Sequence, residues 1–318
     1  MCPQSILVNF DSRLDYLYNL KRLGIKVGLE HTIELLKRCG DPQLHFKSIH
    51  IAGTNGKGST CAIVSSILME AGLKVGLYTS PHLIRFNERI RINGIQIDDD
   101  DIVEFVDSYQ SDIDEIKSTF FETTSAMAFK YFSDKKVDVA VVETGLGGRL
   151  DSTNILSPDL TVITPISIDH REILGEDILM IGKEKGGIIK KGVPLVLAPQ
   201  KEKVRSLLLK LAGVSGSVVN EVDPPTQVVL TESGTEFVAK DLSFKSPLIG
   251  WHQALNSSVA IEVARLFMPG LKKETVDSGL QKVKWPGRLQ QLCPEIPLYY
   301  DVAHNVHGLH AILETIRR

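Results

Sequence analysis

Continuous apolar runs alternate along the chain with stretches whose apolar residues recur every three to four positions. The first kind reads as strands buried on both faces, the second as amphipathic helices. Asp11 to Cys39 is expected to be helical through Leu14, Leu17 and Leu20, then Ile33, Leu35 and Leu36, with a break at Gly24–Gly28. Phe46–Ala52 follows as a strand, Ser59–Ala71 as a helix with Ile63, Val64, Ile67 and Leu68 inward, and Lys74–Tyr78 as a second strand. Gly72 stands where that helix should close. Further strands are predicted at Val137–Val142, Leu160–Ile166 and Val193–Ala198. Helices are predicted from about Ile102, around Thr123–Phe132, around Asp177–Ile189 and at Gln253–Phe267. The acidic run Asp98–Asp101 reads as an N-cap and dipole complement, not as a metal site. Between Val218 and Phe244 the period turns strand-like with turn residues between, which predicts a small antiparallel patch. The sum is an α/β fold, doubly wound around a mostly parallel sheet.

Composition narrows the partners more than the fold. The 36 Lys and Arg against 39 Asp and Glu leave a net charge of −3, so neither nucleic acid nor an anionic membrane is an expected partner. Hydrophobic residues make up 43% of the chain, enough for a large core. Cys2, Cys39, Cys61 and Cys293 form no CxxC pair, which fits neither a disulfide framework nor a zinc site. The first residues carry no basic segment before an apolar run, and no apolar run is long enough to span a bilayer. A cytoplasmic, monomeric protein is expected. At ~150 residues per domain the length predicts about two domains.

The candidate chemistry sits where predicted strands end. GTNGKGS, Gly53–Ser59, lies between a buried strand and a helix, and suits phosphate oxygens better than a structural turn. Ile51 occupies the place of the first glycine in G-x-x-x-x-G-K-[ST], so the motif is a variant. Glu143 ends the run VDVAVV beside Gly145, Gly147 and Gly148, a place for a magnesium ligand. His170, after Asp169, ends a third run and is read either as a structural histidine or as a ligand. Imidazole on magnesium is unusual and favours manganese. MIGKEKGGIIKKG reads by default as a solvated basic helix face.

These segments together resemble the folylpolyglutamate synthase/dihydrofolate synthase family of the Mur ligase superfamily. The resemblance is carried by GTNGKGS, GIKVGLE, TSPHLIRFNERIRING, FETTSAMAF, ETGLGGRLDSTN, EKGGIIKKGVP, WPGRLQ and DVAHN, which occur in family order. It implies an ATP-dependent ligase that joins L-glutamate to dihydropteroate or a folate through an acyl phosphate. Asn55, Gly56, Lys57, Gly58 and Ser59 would cradle the phosphates, with Asn256, Arg288 and Asp301 as further nucleotide contacts. Ser80, Glu143, His170 and Lys185 would hold two magnesium ions, Lys185 as a carbamate, and Lys57, His170 and Lys185 would serve catalysis. The pterin-side substrate is expected at Phe121, Glu122, Thr124, Ser125, Arg149 and Asp151, while His304 lies in the motif that joins the domains. The alternatives are another Mur-type amino-acid ligase, or a non-catalytic ATP- or folate-binding fragment. EKGG in place of EKAG and Val306 in place of proline depart from the family pattern. The resemblance divides the chain into an ATP-binding unit, residues 1–295, and the truncated beginning of a Rossmann-like glutamate-ligase domain, residues 296–318.

Overall fold

The computed structural model describes residues 3–23, 28–293 and 295–317, so residues 24–27 of the predicted break, together with Cys2, lie outside the described ones. Two helices open the chain, α1 (Pro3–Asn19) and α2 (Glu30–Arg38). The winding then begins with β1 (Lys47–Ala52), α3 (Lys57–Glu70) and β2 (Val75–Tyr78). A hairpin, β3 (Ile90–Ile92) and β4 (Ile95–Gln96), leads to α4 (Asp99–Ile116), α5 (Phe120–Asp134) and β5 (Val139–Glu143). Next come β6 (Leu160–Ile163), the short α6 (Arg171–Leu174), α7 (Ile178–Gly186), β7 (Leu195–Leu197), α8 (Glu202–Ser215) and β8 (Val219–Glu221).

These eight strands form one sheet in the order β4-β3-β2-β5-β1-β6-β7-β8, parallel from β2 to β8 and antiparallel in the β3–β4 hairpin. β1 is central, pairing with β5 on one side and β6 on the other. The chain winds outward from β1 in both directions, and the carboxyl edge at such a reversal is where open α/β sheets gather ligands.

Burial on both faces explains the unbroken apolar runs. Every residue of β2 and β5 is buried, as are all but the first of β1. α3 shows no single apolar face, because 11 of its 14 residues are buried. It lies between the sheet and α9 (Trp251–Phe267) and α10 (Lys273–Lys282). The opposite face is covered by α1, α2, α4 and α5 through Leu17, Leu35, Leu36, Ile102, Phe129 and Phe132.

Several elements differ from the expectations. The strand predicted at Leu160–Ile166 ends at Ile163, and Pro165, which cannot donate to a ladder, follows. Val219–Glu221 belongs to the main sheet, parallel to β7, because α8 carries the chain back across it. The antiparallel patch is therefore β9 (Thr226–Thr231), β10 (Gly234–Ala239) and β11 (Leu242–Ser246). Asp98 makes no side-chain cap, but Asp99, Asp100 and Asp101 fill the first turn of α4 as its dipole favours. The strand expected near residues 297–300 is β13 (Leu298–Tyr300), and it pairs with β12 (Gln290–Cys293). That hairpin bridges the expected boundary at 295/296, and the last helix, α11 (Val306–Ile316), meets α9.

Candidate active site

The phosphate-loop candidate leaves β1 and is hung on the loop that leaves β6. The Thr54 and Asn55 amides donate to the Pro165 carbonyl at 3.0 and 3.2 Å. The Thr54 hydroxyl donates to the Ser167 carbonyl at 3.0 Å and accepts from the Ser167 amide at 3.1 Å. Gly56 heads α3 with φ +86°, a left-handed conformation that suits glycine, and a Cβ there would run into the Asn256 amide oxygen. Gly56→Ala is therefore expected to weaken ATP binding by about tenfold, from left-handed strain of ~1–2 kcal/mol plus displacement of Asn256. Calorimetric titration with ATP checks this, and an unchanged affinity would refute it.

Lys57, first residue of α3, reaches over the loop. Its Nζ lies 3.4 Å from the Thr54 carbonyl and 3.9 Å from Glu143 Oε1. Glu143 ends β5 only 4% exposed. Burial raises its pKa, against the pull of Lys57, the Ser80 amide and Arg288. The Ser80 amide donates to Glu143 Oε2 at 3.1 Å, so β2 and β5 deliver their expected ligands to one point. Lys185, on α7, is buried rather than solvated, and its Nζ donates to the Gly53 carbonyl at 2.8 Å. That corrects the default reading of its segment as a solvated basic face. Burial, aided by the nearby Lys57 ammonium, lowers the Lys185 pKa to about 7.

His170 heads α6 in a left-handed conformation with its side chain half-exposed. Its ligand atom lies within 4.8 Å of those of Asp169 and His304. Burial acts to raise the Asp169 pKa, but the Asn305 amide, His170 and His304 outweigh it and hold the carboxyl low. Asn305 Nδ2 donates to Asp169 Oδ2 at 2.9 Å and to Asn55 Oδ1 at 3.0 Å, which ties the head of α11 to the phosphate loop. The sequence reading names neither Asp169 nor Asn305 as a site residue, though both stand beside motif histidines.

A divalent cation fits this donor set. Glu143 is a buried carboxylate whose nearest partners among the described residues are one amide and an ammonium 3.9 Å away, too little to offset its burial. Ser80 and His170 are hard and intermediate donors on the same cleft, and a lysine poised near neutrality is the form that reacts with carbon dioxide.

Where the nucleotide contacts are expected, Asn256 Nδ2 donates to Gln253 Oε1 at 3.1 Å, and both are buried. Arg288 is tucked in far enough that burial lowers its pKa, with Asp301 opposing. Asp301 accepts from the Leu289 and Ala303 amides at 2.9 and 2.8 Å and so fixes the turn around Arg288.

The expected substrate residues divide. Phe121, Arg149, Asp151 and His304 line the cleft. Asp151 is a buried junction that accepts from the Leu146 amide at 2.7 Å, from the Thr153 amide at 3.1 Å and from the Thr153 hydroxyl. Glu122 borders the cleft, but its carboxylate closes the capping box of α5 on the Thr119 amide at 2.7 Å. Thr124 and Ser125 do not reach the cleft. The Thr124 hydroxyl bonds back to the Phe120 carbonyl at 2.6 Å, and Ser125 bonds Ser152 at 2.6 Å and Tyr78 at 3.2 Å inside the core.

The remaining residues share one cleft of about 1160 Å³, running from Lys57 and Asn256 past Glu143 to Phe120 and Phe121. Among the described residues no helix is long and apolar enough to cross a membrane. A family profile described as the Mur ligase middle domain matches residues 51–264. The dihydrofolate synthase/folylpolyglutamate synthase of Bacillus subtilis is 37% identical over 95% of this chain and 75% of its own length. A Mycobacterium tuberculosis folylpolyglutamate synthase complexed with ADP and AMPPCP superposes with a TM-score of 0.91 at 33% identity, covering 98% of this chain and 74% of that one. An FPGS–AMPPCP–folate complex gives 0.91 at 32% identity, over 97% and 80%. The motifs, the sheet order and these likenesses agree: the chain belongs to the folylpolyglutamate synthase/dihydrofolate synthase family of ATP-dependent ligases within the Mur ligase superfamily.

Proposed function

We propose that this chain activates a pterin-linked carboxylate with ATP and joins it to L-glutamate, making dihydrofolate from dihydropteroate, or extending a folate, as a monomer. The observation that carries the reading is the continuity of the cleft. A phosphate loop, a buried carboxylate and a near-neutral lysine stand at one end, and an aromatic wall at Phe120 and Phe121 at the other. In this reading residues 1–295 hold ATP and the pterin-side substrate, and β13 with α11 begins the glutamate side.

The loop amides and Lys57 hold the triphosphate, while Asn256, Arg288 and Asp301 hold the nucleoside. The substrate carboxylate attacks the γ-phosphorus, the bond to the β-γ bridging oxygen breaks, and ADP leaves. The glutamate amine then adds to the acyl carbon, loses a proton, and expels inorganic phosphate to leave an amide. Magnesium ions held by Ser80, Glu143, His170 and carbamylated Lys185 would neutralise the charge gathered on the transferring phosphoryl group. No nucleophilic side chain is needed, so positioning and fixed charge supply the rate.

The test is ADP release with purified protein, ATP, magnesium and L-glutamate, offering dihydropteroate and tetrahydrofolate in parallel. Glutamate-dependent release with either pterin is expected. Release with a muramyl acceptor instead would move the chain to another Mur-type activity, and ATP binding without any release would reduce it to a binding protein.

A further inference from the structure

Asp169 and His170 stand on the loop after β6, and His304 on the segment between β13 and α11, so two stretches far apart in the chain meet here. Both imidazoles face one oxygen. His170 Nε2 lies 4.0 Å and His304 Nε2 3.9 Å from Asp169 Oδ2. The three ligand atoms lie within 4.8 Å of one another, and all three residues open onto the cleft.

These separations are too long for hydrogen bonds, which close at about 2.7–3.2 Å. They match the span across a single cation instead. Ligand atoms each ~2.0–2.2 Å from a zinc-class ion stand ~3–4 Å from one another. His304, with its side chain 70% exposed, has the freedom to close the widest gap.

The supporting bonds are those that hold metal ligands in place. His304 Nδ1 lies 3.1 Å from the Val302 carbonyl. A carbonyl only accepts, so the ring hydrogen sits on Nδ1 and Nε2 of the neutral ring keeps its lone pair. A histidine that ligates through one nitrogen ordinarily donates the other in this way. Asp169 is fixed in turn, for the His170 amide donates to its Oδ1 and Asn305 Nδ2 to its Oδ2, both at 2.9 Å. Oδ2 keeps a further lone pair for a ligand.

The donor set decides the class of ion. Two imidazoles and one carboxylate suit zinc, cobalt or nickel, whereas magnesium takes oxygen ligands and keeps several waters.

We infer that Asp169, His170 and His304 form a binding site for a zinc-class divalent ion, separate from the magnesium donors Ser80 and Glu143. This goes beyond the function proposed above, in which neither Asp169 nor His304 holds a metal. An ion bound there ties the segment after β13 to the loop after β6. It also takes the His170 nitrogen that magnesium is expected to use, so the two ions exclude each other at that residue.

The experiment titrates the full chain, free of any histidine tag, with cobalt(II), reads the visible absorption of the bound ion, and then displaces it with zinc. Wild type, H304Q, D169N and E143Q are compared. Wild type is expected to bind one equivalent of cobalt with a visible band that zinc abolishes. H304Q and D169N should each weaken cobalt binding by about tenfold or more, and E143Q by less than about twofold. His304 is exposed, so H304Q carries the test should D169N not fold. Absence of the band in wild type overturns the proposal, as does cobalt affinity unchanged in H304Q. Loss of binding in E143Q with retention in H304Q also overturns it, because the ion then sits on the magnesium donors.

Discussion

Glu143→Gln is expected to lower kcat by about a thousandfold or more while the protein stays folded, the scale on which preorganised charge at a phosphoryl group acts. The carboxyl stands where β5 and β2 converge, with the Ser80 amide on one oxygen and Lys57 nearest the other. Glutamine keeps the shape and the Ser80 acceptor but removes the anion. Burial raises the Glu143 pKa, so the folded chain holds that proton more tightly than the unfolded chain does. Stability from this group is full below its ordinary value of 4.5 and falls as pH rises through the higher folded value. Glutamine carries no such loss, so above that window the ligand-free variant should melt no lower than wild type. Its stabilisation by ATP with magnesium should shrink. Paired measurements of turnover and of thermal shift with and without ligand check both halves. Turnover within tenfold of wild type would remove Glu143 from the machinery.

Lys185→Met is expected to cost a similar factor, and wild type should share part of that loss when carbon dioxide is stripped from the buffer. The side chain is buried, donates to the Gly53 carbonyl, and has its pKa lowered to about 7. A base whose pKa falls on folding is neutral above the folded value, so the reactive amine gains population as pH rises through about 7. In limiting bicarbonate, activity should therefore climb across that interval, and added bicarbonate should restore the depleted enzyme but not the methionine variant. Activity indifferent to bicarbonate at every pH would mean that Lys185 acts as a plain amine.

The motifs that end strands were legible because position on a parallel sheet follows from sequence order. Gly53–Ser59, Ser80, Glu143 and His170 each follow a run of apolar residues, and the structure delivers all four to one edge. Side-chain direction on a helix was less so. Phe121, Glu122, Thr124 and Ser125 lie in one segment, yet the capping box of Thr119 and Glu122 sets the rotation of α5 and turns Thr124 and Ser125 inward. α8 lies outside the elements expected from the sequence, although Val204, Leu208 and Ala212 recur every four residues on its buried face. α10 offers only Val276, Gly279 and Leu280, too weak a stripe to stand out.

The suspension of the phosphate loop from Pro165 has a consequence for how this protein can diverge. Its acceptor is a main-chain carbonyl, so no replacement at position 165 deletes it. Inserting or removing a residue between 164 and 168 would shift that oxygen out of reach of Thr54 and Asn55. It would also carry Asp169 and His170 away from the loop they face. Among relatives this stretch should therefore vary in spelling far more readily than in length.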